Sequence, residues 1–503
     1  MSYRVTHGVT RDLPDVVSFV DTLNQLPTHP VPEVRQLFDP AGDLIVSRAP
    51  GRLDVMGGIA DYSGSLVLQM PLRAATMVAL QLDPIRHLRI VSLGADALHR
   101  TVAVDLPMSA LEHADGSPAE YDEARRYFAA DPHRRWAAYV AGALLVLRRE
   151  RGVTFDKGVR LLISSTVPEG KGVSSSAALE VASMQAVAAA FQISLADSEL
   201  ARLAQLVEHR VVGAPCGIMD QMTATCGERD RLLVLRCQPA DLLPSLPWPE
   251  DLGLWGIDSG ERHAVSGADY TSVRAGAFMG YRLIADIAGL QVSKADNDGH
   301  VRIDDPIWNG FLANVTPSEF AQRFETQLPE RMRGADFLAR YGGTPDAVTR
   351  VDSTREYAVR APARHPILEH ARINVFAELL ASAAATSAAA STPASAYERM
   401  GQLMYESHAG YAQCGLDSAG TSRLVALVRE AGAAAGLYGA RITGGGSGGT
   451  VAVIGRRDAE ATVRKLAARY AEETGHPADI ITGSSPGAAE FGYLRLRSEI
   501  AVS

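Results

Sequence analysis

The chain has few cysteines, and they are not arranged to hold a metal. Cys216, Cys226, Cys237 and Cys414 form no C-x-x-C pair and have no histidine at ligand spacing, which argues against a zinc site. Three of them lie close together beside apolar residues, as buried thiols do in a reducing compartment. There is no excess of positive charge. The net charge of −9 disfavours nucleic acid and anionic membranes as partners, so any anionic ligand has to be held locally. No apolar run reaches the length of a membrane span, and residues 1–15 carry charges throughout, without the apolar stretch of a secretory leader. The expectation is a cytoplasmic protein. What remains is a chain of 503 residues, 47% hydrophobic and 21% charged, long enough for two or three domains with large cores.

Three glycine-bearing stretches stand out. The first is residues 168–178, P-E-G-K-G-V-S-S-S-A-A, between a strand-like segment at 159–164 and an apolar helical run at 177–191. Gly170 and Gly172 let the backbone approach a ligand, and Ser174, Ser175 and Ser176 sit where a helix begins, with unpaired N–H groups and the positive dipole end outward. Such a loop suits phosphate. It is neither a P-loop, since Gly172 follows Lys171 and Ser165 stands where a leading glycine is required, nor a dinucleotide fingerprint. Read alone, it could be only a serine-capped helix. Lys171, flanked by glycines, is expected in solvent.

The second stretch, residues 48–64, reads R-A-P-G-R-L-D-V-M-G-G-I-A-D-Y-S-G and is expected to be a polar loop carrying Arg52, Asp54 and Asp61, between a strand at 44–48 and strands at 66–72 and 75–82. The third, residues 439–454, is a strand, five glycines in six positions, and another strand. Between them lies G-A-P-C-G-I-M-D-Q-M at 213–222, where Asp220 stands between Met219 and Met222. A carboxylate in that setting has either partners or a task, unless it caps the next helix. Helices are expected at 13–26, 136–149 (amphipathic), 197–210, 270–287, 367–382, 400–408, 422–435 and 461–473. Residues 110–135 are expected to face solvent, the proline-rich 239–249 to mark a boundary, 295–357 to form an inserted helical subdomain, and 383–396 to be a flexible loop.

Together these motifs resemble the GHMP small-molecule kinases, and within them the galactokinase branch. A-P-G-R-x-x-x-x-G-x-x-x-D-Y at 49–62 is similar to that branch's sugar-binding opening and 168–178 to the family's phosphate loop. C-G-I-M-D-Q at 216–221 resembles the catalytic segment, E-S-H at 406–408 a later helix, and 443–449 the third family motif. The resemblance implies an α+β fold in two lobes, residues 1–250 and 251–503, with the active site in the cleft between them. It implies Asp220 as the base beside an anomeric hydroxyl and Arg52 between that base and the γ-phosphate of ATP. Gly170, Lys171, Gly172, Ser174, Ser175, Ser176, Gly445 and Gly446 would surround the nucleotide, and Ser176 and Glu208 would hold Mg²⁺. Asp61, Gly217 and Tyr270 would lie against the sugar.

One departure from the pattern bears on substrate. Where galactokinases have G-E-H-T-D-Y, this chain has Gly57-Gly58-Ile59-Ala60-Asp61-Tyr62, so the Glu-His pair that meets the hydroxymethyl end of galactose is absent. A buried hydroxyl left without a partner costs roughly 1 to 3 kcal/mol, and Ile59 would occupy volume that a CH₂OH group needs. L-Arabinose has the ring configuration of galactose and lacks that group, and residues 48–72 resemble the kinase domain of plant arabinokinases. The expected substrate is L-arabinose, phosphorylated at C1. A galactokinase or hexuronic-acid kinase with a rearranged pocket, and a non-catalytic sugar sensor, stay open.

Overall fold

The computed structural model describes residues 3–10, 13–94, 103–262, 268–296, 299–387 and 394–499. Its larger sheet runs Tyr3–His7, Tyr493–Ser498, Leu44–Met56, Leu66–Asp83, Gly158–Ser165, His87–Leu93, Ala103–Pro107, with Arg231–Arg236 and Asp241–Pro247 attached to one end of Leu66–Asp83. All pairings are antiparallel except that of His87–Leu93 with Gly158–Ser165. A second sheet of four strands is ordered Leu437–Ile442, Thr450–Arg456, Leu252–Asp258, Ile480–Ile481. This is the mixed α+β architecture expected.

The two strands expected at 66–72 and 75–82 are one continuous strand, Leu66–Asp83. Its first part pairs with Arg231–Arg236 and its last with Gly158–Ser165, while Leu44–Met56 lines its other edge. The polar loop expected from 48 is likewise mostly strand. Leu44–Met56 is buried throughout and runs past Pro50 and Gly51 because its pairing shifts register at Pro50/Arg52 and Asp54/Met56. Arg52 and Asp54 are thus carried by a sheet, and only Gly58–Ser63 forms a turn of helix beyond it.

One face of this sheet packs on helices Ala138–Arg151 and Ser175–Ala190. The first was expected to be amphipathic, yet Val140 through Arg148 are all buried, as in a helix enclosed on every side. It ends at Gly152, which adopts the left-handed conformation common after a helix. Residues 110–135 also differ from expectation: Leu111, Ala119, Ala124 and Phe128 enter the same core from helix Tyr121–Ala129 and its approach. The other face is covered by Pro14–Gln25. The second sheet is backed by Ala419–Ala431 and Glu460–Thr474.

The proline-rich 239–249 forms the strand Asp241–Pro247, paired with Arg231–Arg236. Helix Arg360–Ser387 continues through 383–387, where a loop was expected, and Ala394–Gln413 follows; 388–393 lie outside the described residues. The segment 295–357 is more mixed than the helical subdomain expected: helix Gly334–Tyr341 is joined by short strand pairs. Its core, built on Trp308, Phe320, Phe324 and Phe337, packs against Ala268–Ile287. The strand Tyr493–Ser498 returns to the larger sheet, so that sheet draws on both residues 1–250 and 251–503.

Candidate active site

The three glycine stretches and the 213–222 segment meet in one cleft, lined by Arg52, Gly58, Ile59, Asp61, Gly170, Gly172, Ser174, Ser175, Ser176, Glu208, Cys216, Gly217, Met219, Asp220, Tyr270, Gly444 and Gly445. Two of the residues named from sequence stand elsewhere. Gly446 lies against Leu416 and Tyr411. Lys171, expected in solvent, pairs its Nζ with Asp258 at 2.6 Å, and that aspartate is buried at the end of strand Leu252–Asp258 in the second sheet.

Arg52 is the hub. Its Nε and Nη2 donate to Oδ1 and Oδ2 of Asp220 at 2.9 and 3.0 Å, a two-point grip, and Nη1 donates to the Gly172 carbonyl at 2.6 Å. Its backbone N–H donates to the Val173 carbonyl at 3.1 Å, so the strand is stitched to the phosphate loop through both main chain and side chain. Arg52 is buried, whereas the Asp220 side chain keeps 18% of its surface, open to the cleft. Asp220 lies in the first turn of Met219–Cys226 but caps no backbone N–H there; Arg52 holds it instead.

The phosphate-loop helix starts at Ser175, and Ser174 before it takes a left-handed backbone. The Ser174 hydroxyl is buried with no partner among the described residues. Ser176 lines the same cleft as Glu208 and acts to lower its carboxyl pKa; Glu208 sits on a π-helical turn, Val207–Val212. Gln221 Nε2 donates to Glu208 at 2.7 Å and to Glu180 at 2.9 Å. Burial and then the charge of Asp220 push Glu208 up to about 7. The serine hydroxyls and carboxylate form an all-oxygen donor set, the kind Mg²⁺ prefers when phosphates complete its shell.

At the opposite end, Asp61 is buried and wedged between Tyr62, whose N–H it accepts at 2.6 Å, and Gly217. A Cβ on Gly217 would fall 1.4 Å from Asp61 Oδ2, so only glycine fits there. Burial first, then Asp220, raise Asp61 to about 7 against the pull of Arg274. Tyr270 meets Tyr62 edge to face. Gly58 has φ +50°, and a Cβ on it would sit 1.5 Å from the Tyr411 hydroxyl and 3.0 Å from Arg441 Nη2. That hydroxyl accepts the Ile59 N–H at 2.9 Å and donates to the Gly444 carbonyl at 2.6 Å, joining the Gly58–Ser63 turn to the glycine turn.

A second cavity adjoins the first across Gly170, Ser175 and Ser176, with Trp136, Tyr139, Thr76, Ile163 and Leu179 in its walls. Sequence reasoning assigned no role to these residues. Trp136 and Tyr139, two aromatics at the head of a largely apolar helical run, carry no motif that separates cavity lining from core.

Comparison with known proteins accords with this geometry. Residues 35–82 match the galactokinase galactose-binding signature, 138–228 the GHMP kinases N terminal domain, and 387–472 the GHMP kinases C terminal domain. The chain is 44% identical over 510 residues to an L-arabinokinase of Arabidopsis thaliana, covering 93% of this chain and 48% of that protein, so it spans about half the length of that relative. It is 31% identical over 434 residues to a galactokinase of Chloroflexus aggregans, covering 86% of this chain and 89% of that one. The structure of Lactococcus lactis galactokinase complexed with galactose superposes with a TM-score of 0.69 at 19% identity, covering 93% of this chain and 99% of that chain. With sequence motifs, cleft and relatives in agreement, the chain belongs to the GHMP kinase family.

Proposed function

We propose that this chain is an ATP- and Mg²⁺-dependent sugar 1-kinase whose substrate is L-arabinose, converted to β-L-arabinose 1-phosphate. The observation that carries the choice of sugar is the Gly58–Ile59 corner. Tyr411 stands where a side chain at position 58 would begin, and Ile59 is 2% exposed. The corner offers an aliphatic wall instead of polar partners for a hydroxymethyl group. A hexuronate would need a cation there, and the nearest one behind Gly58, Arg441, is fully buried and paired with Asp54 at 2.8 Å. Relatives acting on galactose-configured sugars support the ring stereochemistry.

In this reading Asp220 accepts the proton of the anomeric hydroxyl as that oxygen attacks the γ-phosphorus and the bond to the β-γ bridging oxygen breaks, releasing ADP. Arg52 keeps the carboxylate aimed and supplies fixed positive charge beside the transferring group, which is most of what phosphoryl transfer asks of a protein. Ser174 and Ser175 would face the phosphates, and the orphaned Ser174 hydroxyl fits that role. Ser176 and Glu208 would hold Mg²⁺, which when bound neutralises charge between the phosphates. Trp136 and Tyr139 would take the base, one cavity away from the sugar. Asp61 would bind the ring hydroxyls.

The test is an ADP-release assay with ATP and Mg²⁺ over L-arabinose, D-galactose, D-galacturonate and D-glucuronate, with Asp220→Asn as control. A strong preference for L-arabinose, lost in the variant, is expected. Galactose turnover at least as efficient as that of L-arabinose overturns the choice of sugar, and function that survives Asp220→Asn marks a sensor instead of an enzyme.

A further inference from the structure

Segment 295–357 lies outside the residues that match the family domains. One carboxylate from it reaches beneath the sugar end of the cleft. Asp346, with 3% of its side chain exposed, receives Nε and Nη2 of Arg274 at 2.9 and 2.8 Å. Its own loop braces it: Val348 and Thr349 each donate a backbone N–H at 3.1 Å, and the Thr349 hydroxyl adds a further bond.

Arg274 sits one turn after Tyr270 on Ala268–Ile287 and is itself buried. Its Nη1 reaches the carbonyls of Pro215 and Cys216 at 3.3 and 3.5 Å, in the turn that delivers Gly217 and Asp220. Its guanidinium lies 5.2 Å from the Tyr62 ring centre, and Tyr62 follows Asp61. One cation therefore touches the turn before the base, the aromatic beside Asp61, and the helix of Tyr270. A buried guanidinium keeps such a position only with its charge matched. Among its charged neighbours, Asp61 also attracts it.

We infer that Asp346 is a positioning residue of the sugar pocket: by neutralising and orienting Arg274, the inserted segment fixes the Asp61–Gly217 wall and keeps the Asp61 carboxyl available to sugar hydroxyls. This rests on the sugar-kinase reading above. Without the Asp346 charge, Arg274 turns to Asp61 and competes with the sugar for its oxygens. The insertion is then part of the active site, although none of its described residues lines the cleft.

The experiment compares wild type, Asp346→Asn, Asp346→Glu and the double variant Asp346→Asn/Arg274→Gln. Sugar binding is measured calorimetrically with whichever panel sugar the wild type binds best, alongside KM for sugar and for ATP. Asp346→Asn is expected to weaken sugar binding by roughly ten- to a hundredfold, the effect of one charge-assisted contact. The KM for ATP should stay within about twofold, because the nucleotide side is untouched. Asp346→Glu should recover part of the loss, and the double variant should bind sugar better than Asp346→Asn alone, since the uncompensated cation is gone. Unchanged sugar affinity in Asp346→Asn, sugar and ATP constants rising together, or a double variant worse than the single one overturns the inference while leaving the kinase reading in place. A wild type that binds none of the sugars overturns both.

Discussion

Replacing Gly58 by alanine tests how the sugar turn is built. The new methyl would begin 1.5 Å from the Tyr411 hydroxyl and 2.8 Å from Tyr411 Cζ, and Tyr411 is fully buried, so the ring has nowhere to retreat without breaking its bonds to Ile59 and Gly444. The left-handed backbone at Gly58 adds about 1 kcal/mol for any residue with a Cβ. Each of the two buried groups left unpaired costs roughly 1 to 3 kcal/mol, so Gly58→Ala should lose about 3 to 7 kcal/mol of the roughly 5 to 15 typical of a folded protein. Tyr411→Phe alone loses the two hydrogen bonds. In the double variant the worst collision has already been removed, so its cost should fall short of the sum by roughly 1 to 3 kcal/mol. Urea unfolding of the four proteins measures this. Additive costs, or a Gly58→Ala penalty below about 1 kcal/mol, would refute the packing argument. The same geometry means that writing Glu-His into positions 58 and 59 cannot by itself create a galactose pocket: Tyr411 has to shrink first.

Asp220→Asn should lower kcat by about 10² to 10⁴, the usual worth of a general base, with both substrates still bound; calorimetric titration alongside turnover distinguishes this from misfolding. Arg52→Lys keeps the charge but cannot grip both Asp220 oxygens and the Gly172 carbonyl, so kcat should drop more than either KM changes. Trp136→Ala should raise KM for ATP and leave KM for the sugar alone; the reverse would reassign that cavity. Asp61 titrates at about 7 in the fold against 3.8 unperturbed, so the folded protein binds the extra proton between those values and loses stability as pH rises through them. Asp61→Asn should remove that slope, gaining on wild type by a few kcal/mol (on the order of 1.4 per pH unit) between pH 4 and 7, and parallel curves would contradict the shift.

What could be read from the sequence was local. Glycine and serine at 170–176 announce a loop entering a helix, and the helix begins at Ser175. The run at 444–449 announces a tight turn between strands, and Leu437–Ile442 and Thr450–Arg456 flank it. What escaped depends on partners distant in the chain. Residues 73–74 read as a gap between two strands; the strand continues because Arg73 gives its N–H to the Gly483 carbonyl, and Pro71 before it faces the register shift beside Arg52. Lys171 looked solvated because its immediate neighbours are glycines, yet Asp258 meets it from the other sheet. Trp136 and Tyr139 were not singled out, because an aromatic lining a cavity has the same hydropathy as one filling it. Most side chains of the site were nameable because short glycine-bearing motifs carry them; Tyr411, which bonds Ile59 and Gly444, and Arg274, which bonds Asp346, lie on ordinary helices.

The strand that carries Arg52 is flanked on one side by Leu66–Asp83 and on the other by Tyr493–Ser498, and the fully buried Arg48 on that strand bonds to Ser485 and the Pro486 carbonyl as well as to Asp15 and the Arg73 carbonyl. A ribosome delivers Arg52 more than four hundred residues before the strand that completes its sheet. Until then the Leu44–Ser47 part of that strand presents an open edge of unpaired N–H and C=O groups, the kind of edge that recruits foreign strands. Closure through so distant a pairing is slow. Folding yield, more than the stability of the finished fold, is therefore where substitutions in residues 485–498 should be felt, even though none of those residues lines the cleft.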